Sequence, residues 1–161
     1  MSIRLGIGYD LHRTTQGRPL IIGGVNIPSD FGLLGHSDAD VLVHALCDAL
    51  LGALALGDIG MHFPDTDPAF KGIDSMHLLK NTFKMVKDLH YEVLNIDAII
   101  VAERPKLMLY KKQMADNIAK ALNINDSLVS IKAKTNEGVD AIGRGDAIAA
   151  HVVVLLQKTK P

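Results

Sequence analysis

Between Pro19 and Phe70 the chain contains no Lys, Arg, Glu or Gln. Ordinary solvent-facing segments are built largely from those four residue types, so this stretch is not dressed mainly for water. Its ionisable side chains are all short ones, seven Asp and three His. Caps on buried helices and turns would account for the Asp residues and leave the histidines without a role. Other scarcities narrow the field further. A single cysteine, Cys47, excludes an intramolecular disulfide and fits a reducing compartment. Lying within the apolar run Val41–Leu56, it reads as a small buried hydrophobe rather than a reactive thiol. A net charge of -1 over 161 residues provides no broad positive field for nucleic acid or an anionic membrane. The apolar run Ala45–Ala55 is broken by Asp48 and falls well short of the ~20 residues of a membrane span. Met1–Tyr9 lacks the profile of a secretory signal, so a cytoplasmic location is expected. The hydrophobic share, 48%, is slightly rich for a monomer and points to oligomerisation.

What is present reads as one α/β domain over residues 1–161, without internal repeat or linker. Ser2–Leu11 alternates as a strand and ends at Asp10-Leu11-His12. Leu20–Ile22 and Val25–Ile27 are short strands split by Gly23-Gly24, and Pro28–Ser37 is a glycine-containing loop. A helix is expected from about Ala39 to Leu56 with Ser37 or Asp38 as its N-cap. A second is expected over Ser75–Leu89 behind Asp74, and a third over Lys106–Leu122 behind Pro105. Glu92–Ala102, Leu128–Ala133 and Ala147–Leu156 complete the strands. The connector Gly57–Gly72, carrying Asp58, His62, Pro64, Asp65, Asp67 and Pro68, is long enough to be functional. The alternation predicts a two-layer sandwich, with helices on one face of a mixed sheet.

Three clusters carry chemistry. In the first helix the polar residues Asp40, His44 and Asp48 recur every four positions, forming one stripe on an otherwise apolar cylinder. His44, with a carboxylate one turn away on either side to orient its ring, reads as a ligand or base. Asp10 and His12, two apart at a strand end, project to one face. Together with His44 they make an open three-ligand, zinc-type site whose fourth position is left for water or a substrate oxygen. The third cluster is Lys132–Glu137 with Gly143-Arg144-Gly145-Asp146. Its Lys, Thr, Asn and Arg suit phosphate oxygens, and Glu137 suits a hard cation such as Mg²⁺ between phosphates.

The run Gly35-His36-Ser37-Asp38-Ala39-Asp40-Val41-Leu42-Val43-His44 is a specific signature. With Gly8-Tyr9-Asp10-Leu11-His12, Gly57-Asp58-Ile59-Gly60, Phe63-Pro64-Asp65-Thr66-Asp67-Pro68 and Lys71-Gly72 in the same order, the chain resembles the 2-C-methyl-D-erythritol 2,4-cyclodiphosphate synthase family from about Ile3 to its C-terminus. The resemblance implies a homotrimer with active sites between subunits, zinc on Asp10, His12 and His44, and Mg²⁺ or Mn²⁺ on Glu137. It implies transition-state roles for His36 and Thr135, with Ser37 beside the methylerythritol phosphate. Asp58, Ile59 and Gly60, and the stretch Phe63, Pro64, Asp65, Thr66 and Asp67, would surround the erythritol portion. Ala102, Pro105, Lys106, Leu107 and Met108 would form the cytidine pocket. Lys134, Thr135, Asn136, Glu137 and Arg144 would end the phosphate site. One segment departs from the family: Gly138–Ile142 replaces a Lys-Leu-Gly-aromatic run, and Ala141 stands in the aromatic position.

The implied reaction closes a ring on a CDP-linked methylerythritol 2-phosphate and expels CMP. Its nucleophile is already an anionic phosphate, so positioning and charge neutralisation replace a Ser, Cys or strong base. A metal-dependent phosphohydrolase would use the same open site with water as nucleophile. A non-catalytic nucleotide sensor would bind CDP without turnover and would have no use for an open metal position.

Overall fold

The computed structural model describes residues 2–159; the expected domain extends at its ends to Met1, Lys160 and Pro161, which lie outside them. A five-stranded mixed sheet has the order β4-β1-β7-β5-β6. It is built from β1 (Ile3–Thr15), β4 (Gly32–Leu33), β5 (Tyr91–Val101), β6 (Val129–Lys134) and β7 (Ala147–Lys158). The pairs β4–β1, β1–β7 and β7–β5 are antiparallel, and β5–β6 is parallel. A separate hairpin joins β2 (Leu20–Ile22) to β3 (Val25–Ile27). Its turn residues Gly23 and Gly24 have φ of 60° and 67°, the double positive φ that a tight two-residue hairpin requires.

Helix α1 (Val41–Ala53) starts later than its periodicity suggests. Ala39 sits at φ 60°, which breaks any helix before Asp40, and Asp40 rather than Ser37 or Asp38 is the N-cap, accepting from Val43 N. The same carboxylate accepts from Gly23 N and Gly24 N at 2.9 and 2.7 Å, tying the hairpin to the helix start. Burial pushes Asp40 up to about 6, against the three N–H donors that favour its ionised form. At the other end Ala55 adopts φ 56°. Ala55 N then bonds Gly52 O and Leu56 N bonds Leu51 O, a Schellman closure that ends the helix three residues before Leu56.

Helix α3 (Ser75–Asp88) is capped by Asp74 as its sequence indicates, and buries Leu78, Leu79, Phe83 and Val86. Helix α4 begins only at Lys111 and runs to Leu122. Residues 106–110, expected to be helical, form a turn that leaves Lys106, Leu107 and Met108 beside a cavity. The connector after α1 holds a short helix α2 (Ile59–His62) and a 3-10 turn at Pro68–Phe70. The segment before β7 holds α5 (Asp140–Gly143). None of the described helices is long and apolar enough to cross a membrane.

The sheet has two unlike faces. Along β7 Ala150, Val152, Val154 and Leu156 are buried with Leu42, Leu46 and Leu50 of α1 in one core. Along β1 the inward positions are glycines: a Cβ on Gly6 would stand 1.9 Å from the Ala49 carbonyl oxygen, and one on Gly8 1.8 Å from that of Ala45. The backbone of α1 therefore lies directly on β1. The outward positions Ile3, Leu5, Ile7, Tyr9 and Leu11 are exposed, with Val153 of β7, and the Tyr9 ring lies 4.8 Å from His151. Cys47 is buried, and burial pushes its thiol up to about 12, out of the reactive range.

Because the neighbour of Gly8 is helix backbone and not a flexible side chain, Gly8→Ala is expected to force α1 off β1. Urea unfolding should show a loss of more than about 3 kcal/mol, beyond an ordinary overpacked methyl. The conservative Ala45→Ser, a change on the helix side of the same contact, should cost far less.

Candidate metal centre and active site

Asp10 and His12 lie on the inward face of β1, and His44 on α1. The glycine contact between these elements brings the three side chains together. Asp10 Oδ2 is 2.9 Å from His12 Nε2 and 3.0 Å from His44 Nδ1, and the two ring nitrogens are 3.0 Å apart. Among the described residues this is the one group of three or more His, Cys, Asp or Glu side chains close enough to share a metal ion. Donors held tetrahedrally about 2.0–2.1 Å from zinc would be spaced roughly 3.3 Å apart. The observed triangle is within a few tenths of an ångström of that, and one carboxylate with two imidazoles is a borderline donor set suited to a zinc-type divalent ion. The residues present fit the group.

Each ligand is held from behind. The Asp10 Oδ1 atom accepts from Leu11 N at 2.8 Å, leaving Oδ2 for the cluster. His12 Nδ1 lies 2.7 Å from the Leu34 carbonyl, to which it can only donate, so its Nε2 presents a lone pair. His44 turns Nε2 toward Ser75 Oγ and Ser37 Oγ, at 2.9 and 3.0 Å. Burial would raise the Asp10 carboxyl, but the two imidazoles beside it outweigh burial and hold the group well below the usual carboxylate range. Burial would lower His12, but the neighbouring Asp10 carboxylate, which favours the protonated ring, prevails and raises it.

The carboxylates expected to orient His44 do something else. Asp40 caps α1 and ties down the β2–β3 hairpin. Asp48 accepts from Ile59 N at 2.7 Å, anchoring the start of α2. Capping in fact occupies most of the short acids of the charge-poor stretch: Asp58 accepts from Met61 N, Asp67 from Ala69 N, and Asp38 from Ser75 N.

His12 and His44 of this candidate metal centre form part of the wall of a cavity of ≈ 560 Å³. His36, Ser37, Ile59, Gly60, Phe63, Pro64, Asp65 and Thr66 line it from the candidate set, joined by Gly35, Phe70, Ile73 and Leu78. Phe63 and Phe70 meet edge to face at 5.4 Å and form an apolar side. His36 Nε2 is 3.3 Å from the Asp67 carbonyl. Arg18, which sequence reasoning passed over, donates to the carbonyls of Gly35 and Ser37 at 2.6 and 2.5 Å and so clamps the loop carrying His36 and Ser37.

A second cavity, ≈ 150 Å³, is lined by Ala102, Pro105, Lys106, Leu107, Met108, Lys134 and Thr135, with Glu103, Lys111 and Ala133. Glu103 accepts from Asn136 N at 3.2 Å and fixes the turn that follows. Within that turn Thr135 Oγ1 donates to Glu137 Oε1 at 2.6 Å, with Glu137 at φ 52°. Asn136 donates to Asp140 at 2.8 Å, and Arg144 pairs with Asp146 at 3.1 Å, so these two are engaged locally. Lys132 pairs with Asp97 at 2.5 Å across β5 and β6 and lies apart from this cavity. The two cavities have no lining residue in common. Asp10 is in register with Ala150, which is in register with Ile100. The cavities thus open at the same end of the sheet, toward opposite edges.

Known proteins resemble this chain along almost its whole length. The 2-C-methyl-D-erythritol 2,4-cyclodiphosphate synthase of Desulfosudis oleivorans is 57% identical over 154 residues, covering 96% of this chain and 92% of its own length. A Plasmodium falciparum IspF in complex with CDP superposes with a TM-score of 0.87 at 33% identity, over 99% of this chain and 98% of that one. The bifunctional IspDF of Campylobacter jejuni matches with a TM-score of 0.95 and 42% identity over 99% of this chain, which spans 43% of that longer protein. Residues 3–157 match the YgbB family, and with relatives of this identity the chain belongs to that family, in which the cyclodiphosphate synthases are found.

Proposed function

We propose that this protein is a phosphorus–oxygen lyase of the non-mevalonate isoprenoid pathway. It converts 4-diphosphocytidyl-2-C-methyl-D-erythritol 2-phosphate to 2-C-methyl-D-erythritol 2,4-cyclodiphosphate and releases CMP. The observation that carries this reading is the three-donor centre Asp10, His12 and His44 opening into a cavity of ≈ 560 Å³, in a chain of this family. In the reaction an oxygen of the 2-phosphate attacks the β-phosphorus. The bond from that phosphorus to the bridging oxygen breaks, its electron pair stays on the oxygen, and CMP departs. Two anionic phosphates must approach each other, and the bound cations supply charge neutralisation and in-line alignment.

The chain's own residues do the remaining work. Asp10, His12 and His44 would hold a zinc-type ion, and Glu137 would hold Mg²⁺ or Mn²⁺ together with the substrate phosphates. His36 and Thr135 would face the reacting phosphates, with Ser37 beside the 2-phosphate. The rim Asp58–Gly60 and Phe63–Asp67 would enclose the methylerythritol and exclude water. Ala102, Pro105, Lys106, Leu107 and Met108 would take the cytidine, and Lys134, Asn136 and Arg144 the phosphate end. Ala141 lies in α5 and lines neither cavity.

Two separate cavities on one chain support an assembly in which one subunit's metal cavity meets its neighbour's nucleotide cavity. The exposed apolar row Ile3, Leu5, Ile7, Tyr9 and Leu11 supplies the surface to bury. A homotrimer closes such head-to-tail contacts with three equivalent sites. The buried thiol and the absence of a basic field suit a cytoplasmic enzyme with a small-molecule substrate and no nucleic-acid or membrane partner.

His44→Ala is expected to abolish one tightly held metal ion per chain, read by elemental analysis; full metal content and activity in that variant would overturn the ligand assignment. Glu137→Ala should keep that ion and lose turnover by more than ~100-fold, as removal of a phosphate-bridging cation worth several kcal/mol implies. Phosphorus NMR of the product should show two coupled diphosphate signals without inorganic phosphate; a linear product carrying solvent oxygen would make the protein a hydrolase. Mixing inactive His44→Ala and Lys106→Ala subunits should restore part of the activity, because some interfaces then carry two intact halves. An active monomer would rule the shared site out.

A further inference from the structure

The side of His44 that faces away from Asp10 and His12 is engaged by Ser37 and by Ser75, a residue with no part in the proposed reaction. Its Nε2 lies 2.9 Å from Ser75 Oγ and 3.0 Å from Ser37 Oγ. Ser75 is fully buried at the first position of α3, and its hydroxyl donates to Asp38 Oδ1. Asp38 Oδ2 also accepts from Ser75 N at 3.0 Å, so the carboxylate grips that residue at two points. Ser37 Oγ accepts from Ala39 N at 3.1 Å.

Donor counting fixes the protons. A hydroxyl carries one hydrogen, and the Ser75 hydrogen goes to Asp38, an acceptor only. Toward His44 the Ser75 oxygen can therefore only accept, which requires the proton of the neutral imidazole on Nε2. Nδ1 is then a lone pair, and it is the atom aimed at Asp10 and His12. The Ser37 oxygen also faces Nε2, and with the Ser75 hydrogen on Asp38 the Ser37 hydroxyl can donate to Ser75 Oγ at 3.4 Å, which again makes the Ser75 oxygen an acceptor.

We propose that Asp38 and Ser75 are positioning residues that lock His44 in its Nε2–H tautomer and present Nδ1 for metal binding, with α3 serving as the mount. The inference rests on Asp10, His12 and His44 holding a metal, as read above. Outer partners of metal-bound imidazoles typically contribute about ten- to a hundredfold in metal affinity. An unmade bond to a buried ring N–H has the same direction of effect.

The test uses the full-length protein, apo and loaded with zinc. Chelator competition should show Ser75→Ala binding zinc about ten- to a hundredfold more weakly than wild type. Asp38→Asn, whose amide oxygen still accepts from the Ser75 hydroxyl, should lose less. Long-range nitrogen–proton NMR of the loaded wild type should show the His44 proton on Nε2, and in Ser75→Ala a mixed or exchange-broadened tautomer. Zinc affinity within twofold of wild type in Ser75→Ala, or a His44 proton on Nδ1, would overturn the proposal. Should Ser75→Ala fail to fold, the wild-type tautomer decides alone. A wild-type protein that binds no zinc would instead defeat the metal reading itself.

Discussion

The whole site depends on how closely a helix backbone can approach a strand. Gly6 and Gly8 leave no side chain between β1 and α1, and the carbonyls of Ala49 and Ala45 fill the space that two methyl groups would take. That contact sets the distance from Asp10 and His12, which follow Gly8 on the strand, to His44, which precedes Ala45 on the helix. Three donor atoms 2.9–3.0 Å apart are a direct consequence of backbone packing. A site built on two locked elements needs little reorganisation when it binds a cation, and reactions driven by positioning require that rigidity.

The absence of long charged side chains from Pro19 to Phe70 follows from the same constraint. Backbone this tightly packed must have its N–H groups satisfied internally, and a short carboxylate does so with little volume. Asp40 takes three N–H groups, Asp48 anchors α2, Asp38 holds the head of α3, and Asp58 and Asp67 cap short turns. At Asp40, which is fully buried, Glu or Lys would need room that the core does not have. For Asp38, Asp48, Asp58 and Asp67 capping also shapes the site, because the segments they tie down contribute Ile59, Gly60, Phe70 and Leu78 to the walls of the larger cavity.

Much of this was legible in the residues. The alternation of β1 and the D-x-H at its end placed two donors on one face, and the four-residue spacing in α1 gave the third a polar stripe. The boundaries were less legible where a non-glycine residue takes a positive φ. Ala39 and Ala55 delimit α1, and nothing in an alanine announces a left-handed conformation. The partners of His44 were misread for a related reason. Periodicity reports neighbours on the same helix, so it favoured Asp40 and Asp48; the hydroxyls that face Nε2 come from a loop and from α3. Arg18 escaped notice because its targets are backbone carbonyls, which have no sequence signature.

The placement of the two cavities connects the sheet to the assembly. Strand β1 lies next to one edge and β5–β6 form the other, yet all three run in the same direction, since β7 lies antiparallel between β1 and β5. Their C-terminal ends therefore carry the candidate metal centre and the second cavity at one level, separated by the width of the sheet. A substrate that must reach both is poorly served by a single chain and well served by a ring, in which each chain's β1 side faces its neighbour's β6 side. In the proposed ring the outward row Ile3, Leu5, Ile7, Tyr9 and Leu11, exposed on the single chain, would supply apolar surface for the contact between chains. One strand thus does two jobs by alternation alone: its even positions carry the glycines and the candidate ligands, and its odd positions carry the exposed apolar row.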